Sequence, residues 1–306
     1  MPSEPKIITK RQARKQINLL IFGLVIMVLL EALLEYGKPY LLASRPELFA
    51  GVNTDLVFMI GELMIMAITS VPFIMASVKL NLNIGQYMRN PHYRLMHTVS
   101  LICIGIALRF LSASLSQLFY ILADRSTVQY EWFGIFTGQT YILNNIVWLL
   151  IYVFLRPLYH EIIFRGIIQR HLGHYGRYFG VLGSAFLYAL CQRDLPSFAA
   201  MFFLGWYLST VTLYAHSIIP SIRISISLNL FLWVLNVIPE QFDALMLMII
   251  VLVYILAALY IFSIRGRNIV RYGATESTLW KLLISAPSTV ILIILFIGNA
   301  IYAFLH

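Results

Sequence analysis

Apolar runs of about 20 residues, long enough to cross a bilayer as a helix, recur from one end of this chain to the other. The first is INLLIFGLVIMVLLEALL and the last is LLISAPSTVILIILFIGNAIYAFL. Backbone in hydrocarbon must satisfy its own N–H and C=O groups, and a helix does this within one segment. The runs therefore predict an all-α, polytopic integral membrane helical bundle. Candidate segments fall at about 17–36, 56–77, 97–122, 139–164, 178–192, 196–215, 217–238, 244–264 and 283–305. That gives about eight to nine transmembrane helices, depending on the fifth. It is short for a span, which predicts tilt or a break near Gly180 and Gly183.

Of 306 residues, 60% are hydrophobic and 11% charged, and the mean hydropathy is +0.82. Loops are short, and no soluble domain is expected between or beside the runs. The basic start MPSEPKIITKRQARKQI leads into a run too long for a cleavable signal and without a small-residue cleavage site. The chain divides into a basic cytoplasmic segment (1–16), N-terminal helices (17–138), a core (139–238) and C-terminal helices (239–306). The net charge of +9 is read by position. With a cytoplasmic N-terminus, fourteen lysines and arginines fall in inside loops and four (Lys38, Arg45, Arg125 and Arg193) outside. Basic residues sort to the cytoplasmic side, so the expected topology is N-terminus in and, with an odd number of spans, C-terminus out. The basic excess then reflects topology and contact with anionic membrane lipids, not nucleic acid. Cys103 and Cys191 lie inside apolar runs and read as reduced core residues.

Eight charges sit within or beside the runs: Arg109, Arg156, Arg165, Arg223, Glu31, Glu35, Glu62 and Glu161. A charge at the bilayer centre costs about 2.5–3.5 kcal/mol on insertion scales, so these should pair, snorkel or line a wet cavity. Only Glu161 and Arg165 have a partner visible from sequence: they are i,i+4 with the glutamate N-terminal, the favourable order. Arg156 precedes Pro157, which predicts a kink. The string HEIIF opens like the zinc motif H-E-x-x-H, but position 164 is Phe, so the motif fails. His171 and His174 read as loop residues at headgroup level. Two polar stripes follow helical spacing: Ser221, Ser225, Asn229 and Asn236 on the seventh segment, and Asn145, Trp148, Tyr152, Arg156 and His160 on the fourth. Such stripes either join helix to helix or line an aqueous cavity. The aromatics Trp132, Phe133, Tyr302 and Phe304 form either an interfacial belt or a partner surface.

YHEIIFRG, then SAFLYALCQ, then FFLGWYLSTVTLYAHSIIPSIRISISLN, resembles the CPBP family of CAAX-type and bacteriocin-processing (Abi) membrane proteases over about residues 140–235. That family shows E-E-x-x-x-R, then an apolar run ending in His, then an F-x-x-G helix, a small-Pro turn and H-x-x-x-N. The resemblance implies a CPBP-like core and a bacterial, most simply Gram-positive, cell membrane. It also implies what the site has lost. The family's water-activating Glu position holds His160, its second-motif His holds Gln192, and its third-motif His holds Ser225; Asn229 remains. Glu161 and Arg165, which the resemblance gives as a structural pair, are kept. One imidazole, one carboxamide and one hydroxyl do not supply the family's carboxylate base or a metal set. The expected function is therefore a catalytically degenerate homologue, without cofactor or metal. It would act as a membrane scaffold or regulator of a partner membrane protein, such as a sensor kinase or cell-wall enzyme. Two alternatives stand beside it. One is an active endopeptidase with His160 as base, Ser225 as nucleophile and Gln192 with Asn229 as oxyanion donors. The other is a transporter-like protein.

Overall fold

The computed structural model describes residues 10–89, 95–122, 141–192, 195–237, 249–250, 252–257 and 277–305. Nine helices are described below: α1 (Lys10–Ser44), α2 (Thr54–Lys79), α3 (Leu95–Leu122), α4 (141–173), α5 (Arg177–Leu190), α6 (Leu195–Ala215), α7 (Ile219–Val237), α8 (Ser277–Ile284) and α9 (Pro287–Leu305). No strand occurs among the described residues. Most of the expected segment 244–264 lies outside them, as do Trp132, Phe133, Arg125 and Arg193 and the side chains of Asn236 and Phe304.

α1 shows why the runs fold as they do. Ile17, Leu20, Ile21, Leu24 and Val28 recur at helical spacing and are buried, while Phe22, Leu29 and Leu33 on the opposite side are exposed. Both faces are apolar. One meets protein: Phe73 of α2, Phe164 and Ile168 of α4, Phe179 of α5, and Leu292 and Phe296 of α9 join the same core. The other meets what must be lipid, since an apolar surface this extensive does not face water. α2 repeats the pattern, exposing Ile60, Met64, Ile68, Val71 and Met75. A second core joins Leu204 and Leu208 of α6 to Ile224 and Leu228 of α7, with Leu101 and Phe110 of α3 against it. Among the described residues, four helices are long and apolar enough to span a membrane, or five if the bent α8–α9 pair is one span. The protein is a polytopic membrane helical bundle.

Several polar groups inside the bundle find partners on other helices. Asn53 caps α2, accepting from the Leu56 amide, and its side chain meets Asn144 of α4 at 2.6 Å. Tyr159 of α4 and Thr69 of α2 share a hydrogen bond of 2.5 Å. The last segment bends by 64° between α8 and α9. Pro287 starts α9, where its missing N–H costs nothing, and the Ser288 amide donates to Asn18 Oδ1 of α1 at 2.9 Å.

α5 is 14 residues long, about 21 Å, which is less than the hydrocarbon thickness. The expected break at its glycines is not found: the helix is continuous. A Cβ on Gly180 would lie 2.7 Å from the Gln169 carbonyl oxygen and 2.8 Å from the Gly173 backbone. The glycine is there for close approach to α4, not for a bend. α4 takes up Pro157 in a related way. A π-helical turn, Leu149–Leu155, runs up to the proline and a second, Ile162–Ile168, follows Glu161. The first of these wider turns holds the carbonyl four residues before Pro157, so it accommodates the ring and the missing donor while α4 runs on as one helix.

Candidate active-site cavity

The turn Arg156–Glu161 lies between the two π-helical turns of α4 and faces α7. This places His160 and Glu161 on a cavity of about 430 Å³. Gln192 enters it from the end of α5, and Ser225 and Asn229 from α7, one helical turn apart. All four positions singled out from the sequence therefore line one space, together with Glu161. Arg165 stands behind it.

Arg165 is held from three sides. Its Nη1 lies 3.2 Å from Glu161 Oε1, its Nη2 donates to the Gly205 carbonyl of α6 at 3.4 Å, and its guanidinium lies 4.7 Å from the centre of the Tyr188 ring. Both side chains of the ion pair are essentially removed from solvent, at 0% and 2% exposure. Ser225 Oγ donates to the same Glu161 Oε1 at 2.9 Å. Asn229 donates its amide to the Tyr152 carbonyl at 3.0 Å, and Gln192 donates to the Tyr188 carbonyl at 3.3 Å. The two polar stripes thus meet: Ser225 and Asn229 stitch α7 to α4, and they also line the cavity.

His160 differs from these. It is partly buried, with its ring near Tyr159, Phe164 and Tyr188. Its Nε2 has no hydrogen-bond partner among the described residues. Ser225, the nucleophile of the active-enzyme reading, gives its hydroxyl proton to Glu161 instead.

Sequence reasoning did not bring the other charges to this cavity. Arg156 lies 3.5 Å from Glu31 of α1, and both line the space, as does Arg109 of α3. Each had been recognised as a buried charge, but helix-to-helix partners so distant in sequence leave no local spacing to read. The remaining wall is aliphatic, formed by residues such as Leu204, Leu208, Leu228 and Leu232.

The donor set does not fit a divalent cation. Among the described residues no three His, Cys, Asp or Glu gather as a ligand group. Glu161 Oε1 is already committed to a guanidinium and a hydroxyl, and the amides of Gln192 and Asn229 face backbone carbonyls. A cation there would displace these contacts and would itself sit against Arg165.

Residues 142–231, which run from α4 into α7, match a family model described as Rce1-like, type II CAAX prenyl endopeptidase Rce1-like. This is a CPBP family, so the resemblance read from the motifs holds over that segment. No curated protein and no solved structure matches the chain.

Proposed function

We propose that this CPBP-type membrane protein is catalytically degenerate and serves as a scaffold or regulator of a partner membrane protein. The observation that carries this reading is the double engagement of Glu161 Oε1 by Arg165 and Ser225. A general base must present a free lone pair to the proton it takes, and a hydroxyl nucleophile must be bonded to such a base. Here Glu161 Oε1, the Ser225 hydroxyl and the Asn229 amide join α4 to α7, and Gln192 bonds the Tyr188 carbonyl at the end of its own helix. The other carboxylate oxygen, Oε2, is buried without a hydrogen-bond partner among the described residues. The imidazole left over has no nucleophile on its Nε2. A protease-like cavity whose polar groups hold its own walls together supports gripping a segment more than cleaving it. The partner class is a membrane protein such as a sensor kinase or cell-wall enzyme. The site of action is the cell membrane, with the N-terminus cytoplasmic and the C-terminus outside.

Purification in mild detergent tests this. The expected result is a stoichiometric complex with a membrane protein, no cleavage of test peptides, and a complex that survives His160→Ala. A stable, partnerless monomer that cleaves a peptide overturns the reading.

One observation favours a second reading: His160, Gln192, Ser225 and Asn229 all border the same cavity. Were Ser225 to turn from Glu161 to His160, the four residue types would suit acyl transfer. That reading requires His160→Ala and Ser225→Ala each to abolish cleavage in protein that still accumulates in the membrane.

A further inference from the structure

The Glu161–Arg165 pair separates two cavities. Glu161 lines the central one, and Arg165 lines a second, of about 250 Å³, at the end of the bundle that carries Arg170 and Arg177. The second cavity is built from the ends of several elements: Tyr87 in the turn after α2, the last turns of α4, the start of α5 and the end of α6. Among the described residues no Asp or Glu lines it.

Several polar atoms of the residues that line it have no partner among the described residues. Arg170 Nε, Arg165 Nε and Thr212 Oγ1 are buried and have no hydrogen-bond partner among the described residues. Thr212 is only 5% exposed. Buried donors without an acceptor are costly, so a cavity that gathers three of them calls for an occupant rich in acceptors. Arg170 is fixed in place. Its guanidinium stacks on the Tyr87 ring, 3.7 Å from the centroid, and its Nη1 donates to the Asn83 carbonyl, which leaves Nε for the cavity. Gln169 donates its amide to the Ser209 carbonyl at 2.8 Å, leaving its buried Oε1 as an unmet acceptor. That oxygen suits a hydroxyl or P–OH beside the anion.

His216, which follows α6, lies in the left-handed region, at φ 48°. Glycine usually takes that position because side chains are strained there. Here the strain is accepted and an imidazole is set on the cavity rim.

We propose that this cavity binds the oxyanion of a phosphate group, supplied by a lipid headgroup or by a soluble phosphate compound. Arg170, Arg177 and the Thr212 hydroxyl serve as donors. Charge-assisted hydrogen bonds of this kind are the strong ones, and the cavity lies at the end of the helices, where headgroups sit.

The test uses the full chain in non-ionic detergent, titrated with inorganic phosphate and followed by thermal unfolding. Sodium chloride at equal ionic strength is the control for screening. Phosphate should raise the unfolding temperature in a saturable way. Thr212→Val and the exposed Arg177→Gln should each weaken the apparent affinity by about tenfold. A parallel arm places the chain in nanodiscs of phosphatidylcholine with or without phosphatidylglycerol. Stabilisation by phosphatidylglycerol that blunts the response to phosphate assigns the lipid as the source, and a response to phosphate alone assigns a soluble one. Absence of stabilisation beyond chloride in both arms, or an unchanged midpoint in both variants, overturns the proposal.

Discussion

Ser225 of α7 donates its hydroxyl to Glu161 Oε1 of α4 at 2.9 Å, on the same oxygen that faces the Arg165 guanidinium. One carboxylate oxygen thus ties two helices and one ion pair together. A charge at this depth is tolerable only with partners, and these contacts supply them. The carboxylate beside His160 is used here as a fastening.

Removing either partner of the pair strands the other in a dry interior. Glu161→Ala and Arg165→Ala are each expected to cost about 3–5 kcal/mol. The double variant should cost clearly less than the sum, because it leaves no orphaned charge. Thermal unfolding in detergent, read by monodispersity on gel filtration, gives all three values. Additive losses would show that the two side chains do not support one another.

Two hydroxyl deletions should rank by what they leave behind. Ser225→Ala removes a hydrogen bond to a buried charged acceptor, worth about 1.5–3 kcal/mol. Tyr159→Phe breaks only its bond to Thr69, and Thr69 Oγ1 keeps the Ile65 carbonyl at 2.6 Å. Its expected cost is near the membrane average of about 0.6 kcal/mol. The same unfolding assay compares them, and an equal or inverted ranking would count against the role given to Ser225.

The helices were readable because hydrocarbon leaves the backbone one local solution, so the apolar runs mark them directly. The Glu161–Arg165 contact was readable because its partners are one turn apart. Arg156 and Glu31 are just as close in space, yet nothing in the spacing joins α4 to α1. The motifs named His160, Gln192, Ser225 and Asn229, but not the hydrogen bonds of Ser225 and Asn229, which depend on how α4 and α7 pack. Gly180 was misread for a physical reason. A sequence shows the missing Cβ without showing whether the backbone bends there or another backbone comes close. The second cavity left no motif at all, since Tyr87, Arg170, Thr212 and His216 come from elements far apart in the chain.

The correction at Gly180 makes its own prediction. In Gly180→Ala the new Cβ meets backbone atoms at 2.7 and 2.8 Å, which cannot rotate away. Overpacking of this kind costs about 1–3 kcal/mol. Gly298 on α9 has nothing within 4 Å of its would-be Cβ, so Gly298→Ala should be neutral or stabilising by up to about 1 kcal/mol. A harmless Gly180→Ala would mean that α5 and α4 have room to separate.

Topology can be tested with two residues that the fold places at opposite ends of α1. Tyr175 donates to Gln16 Oε1 at 2.9 Å, so the loop holding His174 lies beside the N-terminal part of α1. Glu47 follows the far end of that 35-residue helix, about 52 Å long by helical rise. Both Glu47 and His174 are exposed. In a background carrying Cys103→Ala and Cys191→Ala, Glu47→Cys should react with a membrane-impermeant maleimide on intact cells. His174→Cys should react only after the cells are permeabilised. That result follows from a cytoplasmic N-terminus, the orientation set by the excess of lysine and arginine on that side. The reverse pattern would invert the protein in the membrane. It would also put the phosphate cavity, beside His174, on the outer face, out of reach of soluble phosphates of the cytoplasm.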